Sequence, residues 1–208
     1  MSLPCFSTAA VILAAGEASR MGTLKQLLPF GHGTLLGHAI DVAGEAGFSP
    51  ILVVVGADAE AVQSSIASKP VEIVRNPDWK TGMGSSIQAG VHRFQELGLD
   101  SAAIAILVGD QPLVTPAHLK EMRKLLNTGR AAVVAAEYGG TLGVPALFRR
   151  NLTSRLLSIP AHAGAKSVLT DPILKIAAFP LPEAATDIDT PQELASLKQT
   201  YKITTGIL

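Results

Sequence analysis

Residues 13–25 have the sequence LAAGEASRMGTLK and continue an apolar run, residues 9–13, near the start of the chain. A short apolar run that breaks into glycine, small residues and two cations is typical of a strand ending in a phosphate-binding loop. Small residues let a ligand approach the backbone, and successive N–H groups in such a turn can bind an anion. Arg20 and Lys25 add positive charge, Arg20 through a planar fork and Lys25 as a point charge. The segment therefore predicts a site for a nucleoside triphosphate.

Two familiar phosphate-binding patterns are missing from this segment. Its glycines do not follow the Gly-x-Gly-x-x-Gly spacing, which disfavours a nicotinamide dinucleotide site, and it lacks the Gly-Lys-Ser/Thr ending of P-loop ATPases. A loop of this composition can also be a mobile surface segment whose cations are simply solvated. The nucleotide hypothesis therefore needs support from other parts of the chain.

Size and composition favour one domain, residues 1–208, with an aliphatic core. Hydrophobic residues make up 48% of the 208 residues, but only 4% are aromatic, as in the interior of a parallel sheet. Lys plus Arg and Asp plus Glu both number 17. A chain without net charge has no general attraction for nucleic acid, so any anion site must be local.

The cysteine content and the hydropathy pattern predict the compartment. One cysteine, Cys5, is present, so the chain cannot form an internal disulfide. This composition fits a reducing cytoplasm. The first residues lack the charged and apolar regions of a signal peptide, and no apolar stretch reaches the roughly 20 residues of a spanning helix. We expect a cytoplasmic protein that does not enter the membrane.

Strands and helices are predicted to alternate. Apolar, β-branched runs predict strands at residues 9–13, 51–55, 71–74, 102–108, 131–136 and 173–178. Helical spacing predicts helices at residues 35–46, 58–67, 87–97, 115–126, 149–157, 163–169 and 192–200. Asp58 and Thr115 are the expected N-caps of two helices, and three glycines at residues 139, 140 and 143 predict a loop. This order predicts a doubly wound α/β fold with a mostly parallel sheet, and the run 102–108 should lie centrally.

Asp110 follows the most apolar predicted strand, directly before a Gln-Pro turn. In doubly wound folds, ligands bind beyond the carboxyl ends of the strands. We therefore expect Asp110, the loop within residues 13–25 (the first loop) and residues 187–189 to meet on one rim of the sheet. Carboxylates there can hold Mg²⁺ together with phosphate oxygens, with Asp189 as the natural second ligand and Asp187 as a weaker candidate. The alternative is that Asp110 and Asp189 only cap a turn and a helix.

The sequence GMGSS at residues 82–86 is a second small-residue segment. Its glycines permit close backbone approach, and its serines can donate hydrogen bonds to a ligand at a helix start. It can equally be an ordinary helix N-cap. Trp79 next to it either covers a ligand or packs on the domain, and the second role is the more common one for a loop aromatic.

Together these segments resemble the MobA-like nucleotidyltransferases, and most closely the molybdenum cofactor cytidylyltransferase branch. The resemblance rests on LAAG at residues 13–16, RMG at 20–22, Lys25, LLP at 27–29, and the later segments at 82–86, 109–112, 143–148 and 187–191. These motifs cover nearly the whole chain in the family's order. The resemblance implies a Rossmann-like fold of the nucleotide-diphospho-sugar transferase type.

The resemblance also implies roles for individual residues. The nucleotide would be bound by residues of three segments: Leu13, Ala14, Ala15, Gly16, Arg20, Lys25, Gly82 and Ser85. Arg20, Lys25 and Asp110 would be catalytic, and Asp110 with Asp189 would hold Mg²⁺. The pair Ala14-Ala15 favours CTP, because guanylyl-transferring relatives usually have Ala-Gly-Gly there.

The chain departs from the family pattern at two places, one in the first loop and one at residues 162–166. Ala18 stands where the family usually has serine, with Ser19 next to it. The sequence HAGAK at residues 162–166 replaces the more frequent Asp-x-Gly-Ala-Arg. Because this stretch is expected to face the second substrate, the acceptor can differ from molybdopterin.

The implied reaction is transfer of CMP from CTP to the terminal phosphate of a molybdopterin-type cofactor, with release of pyrophosphate. A molybdoenzyme that receives the product is an expected partner. The sequence leaves three alternatives open: GTP as donor, a sugar or alcohol phosphate as acceptor, and a non-catalytic module that binds a nucleotide or cofactor. A dinucleotide-dependent oxidoreductase is disfavoured by the missing glycine pattern.

Overall fold

The computed structural model of the chain describes residues 7–17, 24–98, 100–186 and residue 193. Its strands are β1 (Thr8–Ala14), β2 (Pro29–Phe30), β3 (Gly33–Thr34), β4 (Ile51–Val55), β5 (Glu72–Arg75), β6 (Ala103–Val108), β7 (Val133–Tyr138), β8 (Thr141–Arg149) and β9 (Ile176–Pro180). Its α-helices are α1 (Leu35–Glu45), α2 (Ala59–Ser65), α3 (Met83–Glu96), α4 (Pro116–Thr128), α5 (Thr153–Leu157) and α6 (Lys166–Leu169). Short 3₁₀ turns occupy Lys25–Leu27, Trp79–Thr81, Arg150–Leu152 and Pro182–Ala185.

Seven strands form one mostly parallel sheet in the order β5-β4-β1-β6-β8-β7-β9. Strand β1 pairs in parallel with β4 and with β6, β4 pairs in parallel with β5, and β7 pairs in parallel with β9. Strand β6 lies in the middle of this order, so the central position predicted for it is confirmed. Strands β2 and β3 form a separate two-stranded hairpin.

Apolar residues are buried on both faces of the sheet, as a doubly wound fold requires. Alternate residues of β1 contribute to the two cores: residues 10, 12 and 14 to one, and residues 9, 11 and 13 to the other. Helices α1, α2 and α4 cover the first core, and α3, α5 and α6 cover the second. The predicted fold class is therefore confirmed. None of the helices in the described part of the chain is both long and apolar enough to cross a membrane.

Strand β8 was not predicted, because the sequence pattern indicated a loop there. Strand β8 runs antiparallel to both β6 and β7. Gly139 and Gly140 adopt positive φ angles of 55° and 70°, the geometry of a tight hairpin turn between β7 and β8. The predicted loop is therefore wrong over residues 141–143, which lie inside β8. The antiparallel strand extends the sheet without a crossover helix.

Several element boundaries also differ from the predicted ones. Helix α3 starts at Met83 rather than at residue 87, so the small residues 83–86 belong to its first turn. Asp58 precedes α2, but its side chain makes no capping hydrogen bond, and its φ of 47° is left-handed. The cap predicted for α4 is confirmed, because the Thr115 side chain accepts from the His118 N–H. Apart from residue 193, the predicted helix 192–200 lies outside the described residues.

His38 ties α1 to the turn after β6. Its Nε2 lies 3.1 Å from the Pro112 carbonyl oxygen and must be the donor, because a carbonyl only accepts. The ring packs against Phe30 with centroids 4.7 Å apart. Burial lowers the pKa of His38 below its ordinary value of 6.5, against the smaller opposing effects of the Pro112 hydrogen bond, Asp41 and Glu45. The imidazole is therefore mostly neutral at pH 7.

We expect Gly84→Ala to destabilise the protein by about 1–3 kcal/mol, the usual cost of an added methyl in a packed interior. A Cβ at residue 84 would lie 2.2 Å from the Pro160 carbonyl oxygen and 2.8 Å from that of Ala163. Gly44→Ala in α1 is the matched control, since its Cβ meets only Ile51 Cδ1, at 3.8 Å. Urea unfolding should show the control unchanged or stabilised by up to about 1 kcal/mol. Equal effects in both variants would contradict this packing.

His38 should make stability depend on pH. Between its lowered pKa and 6.5, the unfolded chain binds more protons than the folded chain, so the free energy of unfolding falls as pH falls. His38→Gln keeps a hydrogen-bond donor but does not titrate, and we expect a flatter profile in urea unfolding between about pH 5 and about pH 8. The control is His92→Gln, at an exposed histidine. A His38→Gln profile as steep as that of the unchanged protein would refute this role.

Candidate functional site

A cleft of about 740 Å³ opens where β1 and β6 end and α3 begins. These ends meet because β1 and β6 are parallel neighbours, and the Gly109 N–H donates to the Leu13 carbonyl at 3.3 Å. The cleft is lined by residues of four segments: Leu13, Ala14, Ala15, Gly16, Glu17, Lys25, Gln26, Trp79, Lys80, Gly82, Met83, Ser86, Val108, Gly109 and Asp110. The predicted meeting of the first loop with Asp110 is thus confirmed. Residues 187–189 lie outside the described part of the chain.

Gln26 fixes the backbone at residues 14–16, where the first loop starts. Its side chain is buried, and its Nε2 donates to the carbonyl oxygens of Ala14 at 3.2 Å and Gly16 at 3.1 Å. The Ala57 N–H donates to the Ala15 carbonyl at 3.3 Å. Three successive carbonyls are therefore held by protein donors. Sequence reasoning missed Gln26, although a polar residue between Lys25 and the apolar pair 27–28 was a signal of it.

Two described lysines supply positive charge to the cleft. Lys25 is half-buried at the start of the 3₁₀ turn Lys25–Leu27, and Lys80 is exposed in the turn Trp79–Thr81. Lys25 is thus placed where the sequence predicted, whereas Lys80 was not considered as a ligand-binding residue. Arg20 lies outside the described residues. A cleft with lysines on two of its lining segments can neutralise a polyphosphate.

Asp110 brings a half-buried carboxylate to the end of β6. The turn after it is anchored by Gln111, whose Nε2 donates to the Val144 carbonyl at 3.0 Å and the Ala184 carbonyl at 2.8 Å. Within the described residues no group of three or more acidic, histidine or cysteine side chains could hold a metal alone. An Asp110 carboxylate beside a polyphosphate site nevertheless fits Mg²⁺, which takes one or two carboxylates and completes its shell with phosphate and water oxygens. Asp189, the predicted second ligand, lies outside the described residues.

A buried hydrogen-bond network holds the first turn of α3 at the cleft. The Asn76 Nδ2 donates to the hydroxyl oxygens of Ser85 at 2.9 Å and Ser86 at 3.0 Å. The Ser85 hydroxyl lies 2.8 Å from the Gly82 carbonyl and 3.0 Å from the Asp78 carbonyl. Ser85, the predicted base-reading residue, is therefore directed into the protein, and Ser86 lines the cleft. Asn76 was not identified from the sequence.

Residues 160–164 border the same end of α3. The Ser85 N–H donates to the Ala161 carbonyl at 3.3 Å. Gln88 donates to the carbonyls of Leu157 at 3.1 Å and Ile159 at 2.8 Å. The HAGAK segment thus begins next to the cleft, with His162 exposed. Its predicted position beside a second substrate stays a prediction.

The geometry can be compared with known protein families. Residues 10–176 match the model of the MobA-like NTP transferase domain. The chain belongs to this family. The resemblance stated from the motifs is thereby confirmed, and the cleft lies where a MobA-like transferase of doubly wound fold is expected to bind its nucleotide.

Curated relatives of this MobA-like chain carry different names. The molybdenum cofactor cytidylyltransferase of Escherichia coli (strain K12) is 27% identical over 192 residues, which cover 92% of this chain and 95% of that protein. The nicotine blue oxidoreductase of Paenarthrobacter nicotinovorans is 33% identical over 154 residues, 71% of this chain and 69% of that protein. The chain spans only 30% of the length of the bifunctional protein GlmU of Xanthomonas campestris, to which it is 33% identical over 141 residues.

Solved structures share the fold. Rv0371c from Mycobacterium tuberculosis H37Rv, in complex with manganese, superposes with a TM-score of 0.73 at 26% identity, over 93% of this chain and 99% of that chain. A nucleotidyl transferase from Methanothermobacter thermautotroptrophicus superposes with a TM-score of 0.78 at 20% identity, over 94% and 98% of the two chains. The predicted nucleotide-diphospho-sugar transferase fold is therefore confirmed.

We expect Gln26→Met to weaken nucleotide binding and to destabilise the protein by about 1–3 kcal/mol, because the carbonyls of residues 14 and 16 would lose their donor. Methionine keeps the length of the side chain and its packing. The control is Gln95→Met, at an exposed position on α3. Urea unfolding and calorimetric titration with CTP measure the two effects. The assigned role of Gln26 fails if this variant binds and unfolds like the control.

Proposed function

We propose that the protein transfers CMP from CTP to the terminal phosphate of a molybdopterin-type acceptor and releases pyrophosphate. One observation carries the proposal: Lys25, Asp110 and the small-residue turn at residues 14–16 line the same cleft. This combination supplies a cation, a carboxylate and close backbone approach at one point. The family match supports nucleotidyl transfer, and the similarity to the cytidylyltransferase over 92% of the chain supports the choice of CTP and of the acceptor class.

The chemistry needs no general base from the protein. A phosphate monoester has its second pKa at about 6, so it is already a nucleophile near neutral pH. Among the described residues that line the cleft there is no histidine. Attack of an acceptor phosphate oxygen on the α-phosphorus of CTP forms one P–O bond while the bond to the leaving pyrophosphate breaks. The protein contributes position and charge, as in phosphoryl transfer generally.

Charge stabilisation is assigned to four residues. Lys25 binds the β- and γ-phosphates and offsets the charge that develops on pyrophosphate. Arg20 is proposed as its partner on the phosphates. Asp110, with Asp189 as the proposed second ligand, would hold Mg²⁺, which when bound polarises the α-phosphoryl group and neutralises the leaving group. The manganese bound by the structural neighbour Rv0371c supports a divalent cation in this fold.

Recognition of the base and of the acceptor is assigned to different segments beside the cleft. The backbone at Ala14, Ala15 and Gly82 contacts the nucleoside, with Ser85 holding the first turn of α3 in place. Residues 162–166 contact the acceptor, and because they depart from the family pattern, other phosphorylated acceptors are tested beside molybdopterin. The cytoplasmic location, the single domain and a molybdoenzyme that receives the product stay predictions.

Pyrophosphate release measured with each of the four nucleoside triphosphates, Mg²⁺ and molybdopterin tests the proposal. The expected result is turnover with CTP and little with the other three. Turnover with GTP, or only with a sugar or alcohol phosphate as acceptor, would favour the corresponding alternative. Tight CTP binding without turnover on any acceptor would indicate a non-catalytic binding module.

The 33% identity to a relative named as an oxidoreductase requires a second assay. Absorbance at the nicotinamide band, followed with NADH and NADPH, would detect hydride transfer. We expect no change, because the first loop lacks the glycine spacing of a dinucleotide site. Cofactor oxidation in a preparation that releases no pyrophosphate would replace the transferase proposal.

Asp110→Asn should reduce the rate of pyrophosphate release by roughly 10²–10³, the usual effect of losing one charge-stabilising contact. The amide keeps the size of the side chain, so the fold should be retained in circular dichroism. Asp100→Asn is the control, because Asp100 is fully exposed near the opposite end of β6. Near-normal turnover of Asp110→Asn at saturating Mg²⁺ would exclude a metal role for this carboxylate.

A further inference from the structure

Trp79 is the only tryptophan of the chain, and it lines the cleft. It begins the short 3₁₀ turn Trp79–Thr81 directly before α3, and its side chain is half-buried. Among the described residues, Trp79 belongs to neither hydrophobic core and is not among the partly buried side chains packed on them. A large aromatic that packs in no core and borders a ligand cleft requires an explanation other than core packing.

Residue 56 is a glycine, and the absence of a side chain there leaves room for the Cβ and Cγ atoms of Trp79. A Cβ on Gly56 would lie 2.6 Å from Trp79 Cβ, 2.7 Å from Trp79 Cγ and 2.9 Å from Ala15 Cβ. Contacts below 3.0 Å of this kind cannot form without a shift of the neighbours. The end of β4 therefore provides a niche that only glycine leaves open, and Trp79 is seated in it next to the first loop.

The turn that carries Trp79 is held on both sides. The Asp78 N–H donates to the Asn76 Oδ1 at 3.0 Å, and the Thr81 hydroxyl donates to the Asp78 carbonyl at 2.7 Å. The Lys80 ammonium lies 5.4 Å from the centre of the Trp79 ring, which is within the range of a cation–π contact. These contacts hold the turn and place a cation beside the ring, and Trp79 lines the cleft together with Ala15 and Met83.

We infer that Trp79 contacts the nucleobase of the bound nucleotide with its ring, and that Gly56 is a positioning residue that keeps the ring there. The inference rests on the proposed function. The proposed phosphate-binding Lys25 and metal-binding Asp110 are polar, whereas Ala15, Trp79 and Met83 are apolar residues that line the same cleft and suit a flat heterocycle. Because every base has a π-face, such a contact adds affinity without selecting the base. Base choice then belongs to the backbone near residues 14–16 and 82.

Because Trp79 is the only tryptophan, the intrinsic fluorescence of the protein can report ligand binding next to it. Titration with CTP and Mg²⁺ should change the intrinsic fluorescence of the protein, whereas inorganic tripolyphosphate with Mg²⁺, which has no base, should not. Calorimetry measures the same binding without relying on the fluorophore. We expect Trp79→Ala to weaken CTP binding by roughly 10- to 100-fold, in line with base–aromatic stacking, and to leave tripolyphosphate binding unchanged. Trp79→Phe should recover most of the loss, and the other nucleoside triphosphates should lose affinity by a similar factor.

Gly56→Ala tests the positioning role, since residue 56 does not line the cleft. It should weaken CTP binding and reduce the fluorescence response, with tripolyphosphate binding again unchanged. Gly33→Ala is the control, because a Cβ there meets nothing within 4 Å. The inference would be overturned, and the proposed function left standing, if calorimetry gave the same CTP affinity for Trp79→Ala as for the unchanged protein and if CTP did not change the fluorescence of the unchanged protein. Absence of nucleotide binding by the unchanged protein would overturn both.

Discussion

Helix α3 can lie where it does only because residues 84 and 90 carry no side chain. A Cβ at Gly90 would stand 2.4 Å from Val11 Cγ1 and 3.1 Å from Val54 Cγ2, and one at Gly84 would meet the backbone of residues 160–163. The two glycines therefore set the distance of α3 from the sheet on one side and from the 160–164 segment on the other. Since α3 begins at the cleft, the same contacts decide where Gly82, Met83 and Ser86 stand relative to the first loop.

The parts of the fold that the sequence predicts are those in which local pattern and tertiary structure agree. Continuous apolar runs identify β4 and β6 because both faces of these strands are buried. The same pattern does not predict strand β8, because its first four residues are only half-buried and its glycine and proline are more typical of a loop. Helix α3 starts earlier than predicted because its first turn is stabilised by Asn76, a distant partner that propensity does not include.

The same distinction applies to the cleft. Lys25, Asp110 and the turn at 14–16 are recognisable because charge and small residues follow apolar strands, and the topology brings strand ends together. Gln26 and Asn76 act through hydrogen bonds to backbone or to other side chains, so their importance appears only when the partners are in place. Ser85 illustrates the reverse case: its type and position suit a ligand contact, but Asn76 and two carbonyls satisfy its hydroxyl inside the protein.

A chain without net charge can still bind a polyphosphate if its cations are local. In the described part of the cleft, Lys25 and Lys80 line it from two different turns, and Glu17 and Asp110 also line it. This mixture of positive and negative side chains reduces the attraction for an anion alone. It favours the proposed divalent cation bound together with the nucleotide, because such an ion converts a neighbouring carboxylate from a repulsive group into a ligand. Under the proposed function, the acidic residues therefore do not oppose phosphate binding but make it depend on the metal. The acceptor, proposed to contact residues 162–166, would then be chosen by side chains that the shared fold does not determine.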